Sequence, residues 1–298
     1  MIILKSNRLR VEIAEPGERP NDTFRFDRAG YITEVVLDQS MRFCASEPQN
    51  LVHPCSGGRG LCSEFTADYS GEAAEGEYYP KLGVGLIRRE DGERYVFHRR
   101  YEDVQPFPVD VQANRTSAHF ATGAVECMGY ALTCERTVRV DENRLVMEAE
   151  VKNVGQRVIE TEEYCHNFLS IDGMALSKQY SLAFPGIADQ AQWKPVGRDG
   201  ANVPVRGDGR GYRLTEFSAD AYAFWVDLQN ASEEVPFIWR MEHDGARAGV
   251  EVREYFQPRS IQVWAVDHMI CPEVFCKIRV APGEAFRWRR EWVFSRQV

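Results

Sequence analysis

The stretch Ala131–Val151, ALTCERTVRVDENRLVMEAEV, indicates how this chain folds. Apolar and polar residues alternate along Ala131–Val140 and again along Arg144–Val151, which is the period of a strand with one buried face. The triplet Asp141-Glu142-Asn143 between them consists of residues that favour turns. The stretch therefore predicts an antiparallel β-hairpin.

The same period of two recurs along most of the chain, and turn-favouring residues separate the segments. The further predicted strands include residues 9–13, 31–37, 95–98, 119–127, 158–168, 222–228, 236–242, 250–256, 260–266, 274–280 and 286–294. Residues 186–211 have little periodicity and predict an irregular excursion. The first two hundred residues contain no convincing helical stripe, and no linker divides the chain. We therefore predict one domain over 1–298, a mainly β fold built as a large antiparallel β-sandwich.

Composition and charge narrow the class of protein. The chain has 298 residues, of which 44% are hydrophobic and 27% charged, as is usual for a globular protein with a sizeable core. The formal net charge of −9 argues against a nucleic-acid partner, because such partners need a basic surface. No run of about eighteen apolar residues predicts a membrane span, and Met1–Leu4 gives way at once to Lys5. These features predict a cytoplasmic protein.

Cysteine usage points to the same compartment. Eight cysteines occur, at positions 44, 55, 62, 127, 134, 165, 271 and 276. Because no leader peptide is recognisable, we expect all of them to be reduced thiols. No paired CxxC motifs occur, so a structural zinc site is not favoured.

Residues 50–81, NLVHPCSGGRGLCSEFTADYSGEAAEGEYYPK, are rich in glycine, serine and other small residues. They predict a long polar loop, and a loop of this length inside a compact domain is usually functional or disordered. Its candidate site residues are Arg59, Glu64 and Lys81. Each of the three is also compatible with a solvated charge on a loop.

The stretch Glu160–Gly173, ETEEYCHNFLSIDG, contains the clearest candidate for acid–base chemistry. Histidine is the side chain whose unperturbed pKa lies near neutrality, so His166 can hand a proton to a bound ligand. Strand alternation places it on one face with Glu160, Glu162 and Tyr164, a polar row typical of a face open to solvent or to a polar cleft. The competing interpretation is a buried histidine that is satisfied by backbone groups.

Two segments resemble the galactose mutarotase (aldose 1-epimerase) superfamily. Cys165-His166-Asn167-Phe168-Leu169 resembles the strand-end motif that carries the acid histidine of that family. Val266–Glu273, followed by the turn Pro282-Gly283-Glu284 and a final aromatic strand, is similar to the segment that carries the family's basic glutamate. The resemblance spans most of the chain and is strongest over 160–173 and 250–294. It implies the large β-sandwich of that superfamily, the supersandwich.

The resemblance also implies roles for individual residues. His166 stands in the place of the acid, and Asp267 stands where the family has its glutamate, five residues before Pro272. Lys81 occupies the place of the family's second histidine, and Arg59 lies in the nearest counterpart of its Asn-Arg loop motif. The side chains expected to contact substrate are Arg59, Glu64, Lys81, Tyr164, Asn167 and Trp264.

The implied reaction interconverts the anomers of a small-molecule sugar and requires no metal or redox cofactor. A base takes the proton of the anomeric hydroxyl while an acid protonates the ring oxygen, and the opened aldehyde turns and closes on its other face. The alternative is a non-catalytic carbohydrate-binding β-sandwich, favoured by aspartate in place of glutamate at position 267. A polysaccharide lyase or hydrolase that uses Glu160, Glu162 and Glu163 is a third, less favoured reading.

Overall fold

The computed structural model describes residues 1–18, 24–47, 58–185, 187, 193–195, 205–207, 212–214, 222–227, 235–266 and 268–297. Within these ranges the chain forms two ten-stranded sheets and one three-stranded sheet. The strand pairs are antiparallel, and a short 3-10 helix spans Ser70–Glu72. The predicted mainly β sandwich is confirmed.

The first sheet contains the strand that carries His166. Its spatial order is β1 (Ile2–Lys5), β2 (Leu9–Ile13), β3 (Ile32–Leu37), β5 (Leu61–Phe65), β13 (Ile159–Asn167), β22 (Met269–Val280), β21 (Pro258–Val266), β18 (Tyr222–Asp227) and β15 (Trp193–Pro195), with β4 (Met41–Arg42) paired to β3.

The second sheet covers the other side of the core. Its spatial order is β16 (Val205–Gly207), β17 (Tyr212–Leu214), β14 (Tyr180–Phe184), β19 (Phe237–His243), β20 (Ala248–Glu254), β23 (Ala285–Arg296), β12 (Arg144–Asn153), β11 (Leu132–Asp141), β10 (Ser117–Thr122) and β9 (Val109–Ala113). The third sheet is β6 (Tyr78–Lys81), β7 (Gly85–Arg88) and β8 (Val104–Pro106).

The hairpin predicted from Ala131–Val151 is confirmed. Strands β11 and β12 pair in register from Leu132, opposite Asn153, to Asp141, opposite Arg144. Glu142 in the turn has a positive φ of 46°, which lies in the left-handed region and outside the range of regular strands. The alternating pattern buries one face of each strand against the first sheet.

The core lies between the two large sheets. One continuous cluster of buried apolar side chains combines Val11, Val263 and Ile278 of the first sheet with Trp239 and Trp292 of the second. Burial of this apolar surface is what holds the two sheets together.

The interlayer also buries charged side chains. Arg136 of the second sheet pairs with Asp27, at 2.9 Å between Nη2 and Oδ2. Arg290 lies between Glu163 and Glu254, at 2.8 Å from an oxygen of each. Buried charges are tolerated in an interior when opposite charges lie beside them, and at Arg290 one guanidinium serves two carboxylates.

Three predictions from the sequence require revision or fall outside the described ranges. Residues 50–81 are not one loop, because 61–65 and 78–81 form β5 and β6 of two different sheets. Residues 95–98 do not form the predicted strand. Most of the predicted excursion 186–211 lies outside the described residues. Within the described ranges, no helix has the length and apolar character needed to cross a membrane.

Candidate active site

One face of the first sheet gathers polar and aromatic side chains around His166. Strand alternation along β13 places Tyr164 and His166 on this face. Strand β5 pairs with the C-terminal half of β13, so that Glu64 lies opposite Tyr164 and Cys62 lies opposite His166. We call this surface the site face.

The hydrogen-bonded ladder between β13 and β22 opens beside this group. The ladder proceeds as far as Glu163, which lies opposite Cys276. The two chain segments meet again at an isolated bridge between Leu169 and Ile270. The same number of residues separates these two points on each segment, so the register is unchanged across the opening.

This register brings Glu273 opposite His166. The imidazole Nε2 lies 3.0 Å from Glu273 Oε1, and the two side chains are only 5% and 3% exposed. Pro272 lies inside the opening, and it has no N–H to contribute to a ladder. A buried imidazole and carboxylate at this distance can share one proton, which is the basic requirement of an acid–base pair.

The second ring nitrogen of His166 has a different environment. Nδ1 is buried, and no hydrogen-bond partner for it exists among the described residues. The alternative interpretation, a buried histidine satisfied by backbone groups, is correct about the burial but not about the partner. Among the described residues, the polar partner of the imidazole is a carboxylate on the neighbouring strand.

Aromatic rings surround the imidazole. Phe168 lies parallel to it with ring centroids 3.8 Å apart. Phe26 and Trp264 present tilted or edge-on rings at centroid distances of 5.9 and 6.1 Å. A Cβ atom on Gly58 would lie 2.2 Å from the Phe168 ring, so the chain can pass over these rings only as glycine. Phe168 and Phe26 are buried, so Trp264, which is partly exposed, is the ring of this group on which the C–H face of a sugar can pack.

A cluster of charges adjoins the rings and is centred on Glu64. Its Oε2 accepts a hydrogen bond of 2.7 Å from Arg25 Nε and another from the hydroxyl of Tyr164. Its Oε1 accepts one of 3.3 Å from Lys81 Nζ. Arg25 also donates to the Tyr164 hydroxyl, at 3.0 Å, and its guanidinium packs over the Phe26 ring.

These contacts decide the charge of Glu64. Burial alone would raise its pKa, but the positive charges of Arg25 and Lys81 outweigh burial and hold the pKa at about 2. Glu64 is therefore ionised throughout the neutral range. It is a fixed hydrogen-bond acceptor and a poor proton acceptor.

The structure assembles five of the side chains predicted from the sequence, namely His166, Glu64, Lys81, Tyr164 and Trp264. Two others have different surroundings. Asn167 lies on the opposite face of β13, in the interlayer, where it is 1% exposed. The Arg59 side chain donates from Nε to the carbonyl of Thr33, at 3.0 Å. Asp267, the predicted base, lies outside the described residues.

The three carboxylates of the lyase or hydrolase alternative do not all lie on one face of β13. Glu160 is exposed and bonded to Arg279 across the ladder, at 2.7 Å. Glu163 is buried on the opposite face, against Arg290. Glu163 therefore cannot act in one cleft with Glu160 or Glu162.

Four residues of the site face were not among the predicted site residues, namely Arg25, Phe26, Phe168 and Glu273. Glu273 lies on a strand with a clear period of two, which indicates its face but not its neighbour. Arg25 and Phe26 lie outside any strand, and only the contacts with Glu64 and His166 reveal them. Within the described residues, no group of three or more histidine, cysteine, aspartate or glutamate side chains is arranged to hold a metal ion.

Comparison with known proteins bears on the fold. No protein-family model matches the sequence, and no curated protein matches it. Solved structures do match over nearly the whole chain. The Slr1438 protein from Synechocystis sp. PCC 6803 is 13% identical, with a TM-score of 0.60 over 99% of this chain and 96% of that one. A galactose mutarotase-like protein from Lactobacillus casei ATCC 334 is also 13% identical, with a TM-score of 0.60 over 99% and 100%.

A third match points the same way. The GalM/aldose epimerase homologue from C. elegans is 11% identical, with a TM-score of 0.58 over 100% of this chain and 99% of that one. The chain has the galactose mutarotase-like fold. The resemblance read from its sequence is therefore confirmed at the level of the fold. At these identities the likeness concerns the fold alone, so the activity of a mutarotase-like chain must be argued from its own residues.

Proposed function

We propose that this protein interconverts the anomers of a sugar by acid–base ring opening, with His166 as the acid and Glu273 as the base. The observation that carries the proposal is the buried His166–Glu273 pair, 3.0 Å apart in the opened ladder of a mutarotase-like fold.

The geometry of the pair suits the reaction. The anomeric hydroxyl and the ring oxygen are both bonded to the same carbon, so the acid and the base must be close neighbours. In the ring-opening direction, the Glu273 carboxylate takes the hydroxyl proton and the His166 imidazolium gives one to the ring oxygen. Rotation of the aldehyde followed by the reverse transfers yields the other anomer.

The remaining side chains bind and orient the sugar. Ionised Glu64 accepts hydrogen bonds from sugar hydroxyls, and the Arg25 guanidinium keeps it in place. The partly exposed ring of Trp264 packs against the C–H face of the sugar, while the buried rings of Phe168 and Phe26 support the imidazole. Lys81 holds Glu64 from the buried side and also packs over the Tyr95 ring.

Proton NMR of anomer equilibration, run over a panel of free aldoses, sugar acids and sugar phosphates, tests the proposal. The protein should accelerate equilibration of at least one sugar. His166→Gln and Glu273→Gln should each lower that rate by about 10²- to 10⁴-fold, because each removes one proton-transfer group. The double variant should lose little more, since the two act as a unit.

Two further variants make the assay specific. Glu162→Gln is the matched control, because Glu162 shares the strand face with His166 but is 35% exposed, and its nearest cation is 3.9 Å away. It should keep full activity. Asp267→Asn should also keep most of it. A loss in Asp267→Asn without one in Glu273→Gln would assign the base to Asp267, as the sequence resemblance implied.

One observation favours the non-catalytic alternative. His166 is buried and its Nε2 is already engaged by Glu273, so the pair could serve only to shape a sugar-binding surface. Titration of the same sugar panel separates the two functions. Binding without acceleration by any sugar would establish a carbohydrate-binding protein and refute the epimerase.

A further inference from the structure

The backbone of Pro272 carries Glu273 past His166. Strand β21 pairs with this segment on its far side, at Val263–Pro272 and Gln262–Glu273, but no ladder pair joins it to β13 beside His166. Between the Glu163–Cys276 pair and the Leu169–Ile270 bridge, the two segments form no backbone ladder. Ladder hydrogen bonds therefore do not set the distance between β13 and β22 in this opening.

The side chain of Asn167 spans the opening from the interlayer side. Its Nδ2 donates to the carbonyl oxygen of Pro272 at 2.6 Å and to that of Cys165 at 2.9 Å. Its Oδ1 accepts from Trp292 Nε1 at 3.0 Å. Both amide protons and the carbonyl are therefore used, and the side chain is tied to three points at once.

Burial of this amide costs desolvation free energy, which its hydrogen bonds must offset. Asn167 is 1% exposed and Trp292 is fully buried, in an interlayer that is otherwise mostly apolar. An apolar side chain of similar volume would fill the space without the desolvation cost of an amide. The amide, however, supplies to Pro272 the hydrogen bond that the open ladder does not provide.

We infer that Asn167 is a positioning residue, which sets the distance between Glu273 and His166 through the Pro272 carbonyl. Glu273 follows Pro272 directly and points to the opposite face, so a displacement of the Pro272 backbone moves its carboxylate. Trp292, which lies on β23 of the second sheet, anchors the amide and connects the pair to the other layer. We call Asn167, Pro272 and Trp292 the clamp.

Proton NMR of the imidazole tests the clamp without any assumption about activity. An Nε2 proton hydrogen-bonded to a buried carboxylate should give a slowly exchanging downfield resonance in protein labelled with ¹⁵N-histidine. His166→Gln should abolish the resonance and so assign it, and Glu273→Ala should abolish it because the acceptor is gone. Absence of the resonance from the wild-type protein would refute both the pair and the clamp.

Asn167→Leu removes every bond of the clamp while keeping the volume. The resonance should be lost or broadened beyond detection in a variant that still gives a β-sheet circular dichroism spectrum. Val11→Ala is the matched control, because Val11 is fully buried in the same interlayer but lies on β2, three strands away from β13 in the first sheet. It should lower stability and leave the resonance unchanged. Asn167→Leu with an intact resonance would make Asn167 ordinary core support.

Trp292→Phe provides a second test of the clamp, which is needed if Asn167→Leu does not fold. It keeps an aromatic ring in the core and removes the N–H that orients the amide, together with one of the two rings of the indole. A shifted or broadened resonance supports the clamp, and an unchanged one refutes it.

The activity assay adds a second readout, which rests on the proposed function. In Asn167→Leu, kcat should fall by about 10- to 100-fold with little change in KM, because misplacement by about 1 Å costs on that order. A protein that binds sugar without catalysis would still show the NMR effect, so failure of the function and failure of the clamp are distinguishable.

Discussion

Glu254 provides the sharpest test of the buried charges between the two sheets. It ends β20 and is 1% exposed. Its Oε2 lies 2.8 Å from Arg290 Nε, and its Oε1 accepts from Trp239 Nε1 at 3.3 Å. Arg290 must also balance Glu163, so one guanidinium serves two carboxylates.

This shortage of positive charge affects the protonation of Glu254. Burial raises its pKa, the positive charge of Arg290 opposes the rise, and the pKa becomes about 7 instead of 4.5. Between pH 4.5 and 7, the Glu254 carboxyl is therefore protonated in the folded state and ionised in the unfolded state. The stability contributed by this proton is complete below pH 4.5 and is lost as the pH rises through about 7. The loss amounts to about 3 kcal/mol, from about 1.4 kcal/mol per pKa unit.

Glu254→Gln removes the titration, because glutamine stays neutral at every pH. The difference in unfolding free energy, variant minus wild type, should therefore become more positive by about 3 kcal/mol between pH 4.5 and 8. Urea unfolding at a series of pH values measures it, provided that fluorescence and circular dichroism transitions coincide.

The matched control is Glu251→Gln on the same strand. Arg240 and Arg253 lower the pKa of Glu251 despite partial burial. The difference in unfolding free energy between Glu251→Gln and the wild type should therefore not change between pH 5 and 8. A flat difference for Glu254→Gln over the same range would refute the argument, since it would mean that Arg290 balances both carboxylates.

Two further predictions concern the backbone and the thiols. Gly60→Ala should cost about 3 kcal/mol or more, because φ is +66° and the new Cβ would lie 2.2 Å from the Ile32 carbonyl oxygen. Gly173→Ala, with φ of +67° and open space around it, should cost only about 1 kcal/mol, and equal losses in urea unfolding would contradict the clash. Titration of denatured, unreduced protein should find all eight cysteines free; the seven that the structure describes are unpaired, and a count well below eight would mean disulfides.

The faces of the strands could be predicted from the sequence because side-chain direction is a local property. Alternation in 131–151 predicted the hairpin, and alternation in 160–166 correctly placed Tyr164 and His166 on one face. The acid candidate was recognisable for a similar reason, since the proton chemistry of an imidazole belongs to the residue itself.

The partner of His166 could not be predicted in this way. Sequence spacing pointed to Asp267, whereas the register of β13 and β22 brings Glu273 to 3.0 Å. Register between strands about a hundred residues apart depends on long-range pairing, and a shift of one residue would turn Glu273 to the other face. The same limit applies to Arg25, which has no strand periodicity and is placed by its contacts with Glu64, Tyr164 and the Phe26 ring.

Asn167 illustrates the division between the two levels. The sequence alone determined that its side chain points away from that of His166, because adjacent residues of a strand face opposite sides. Only the tertiary structure decided that the other side is a dry interlayer, where the amide bonds the Pro272 carbonyl and the Trp292 indole. Local stereochemistry sets the direction of a side chain, and the packing of distant segments sets what it meets there.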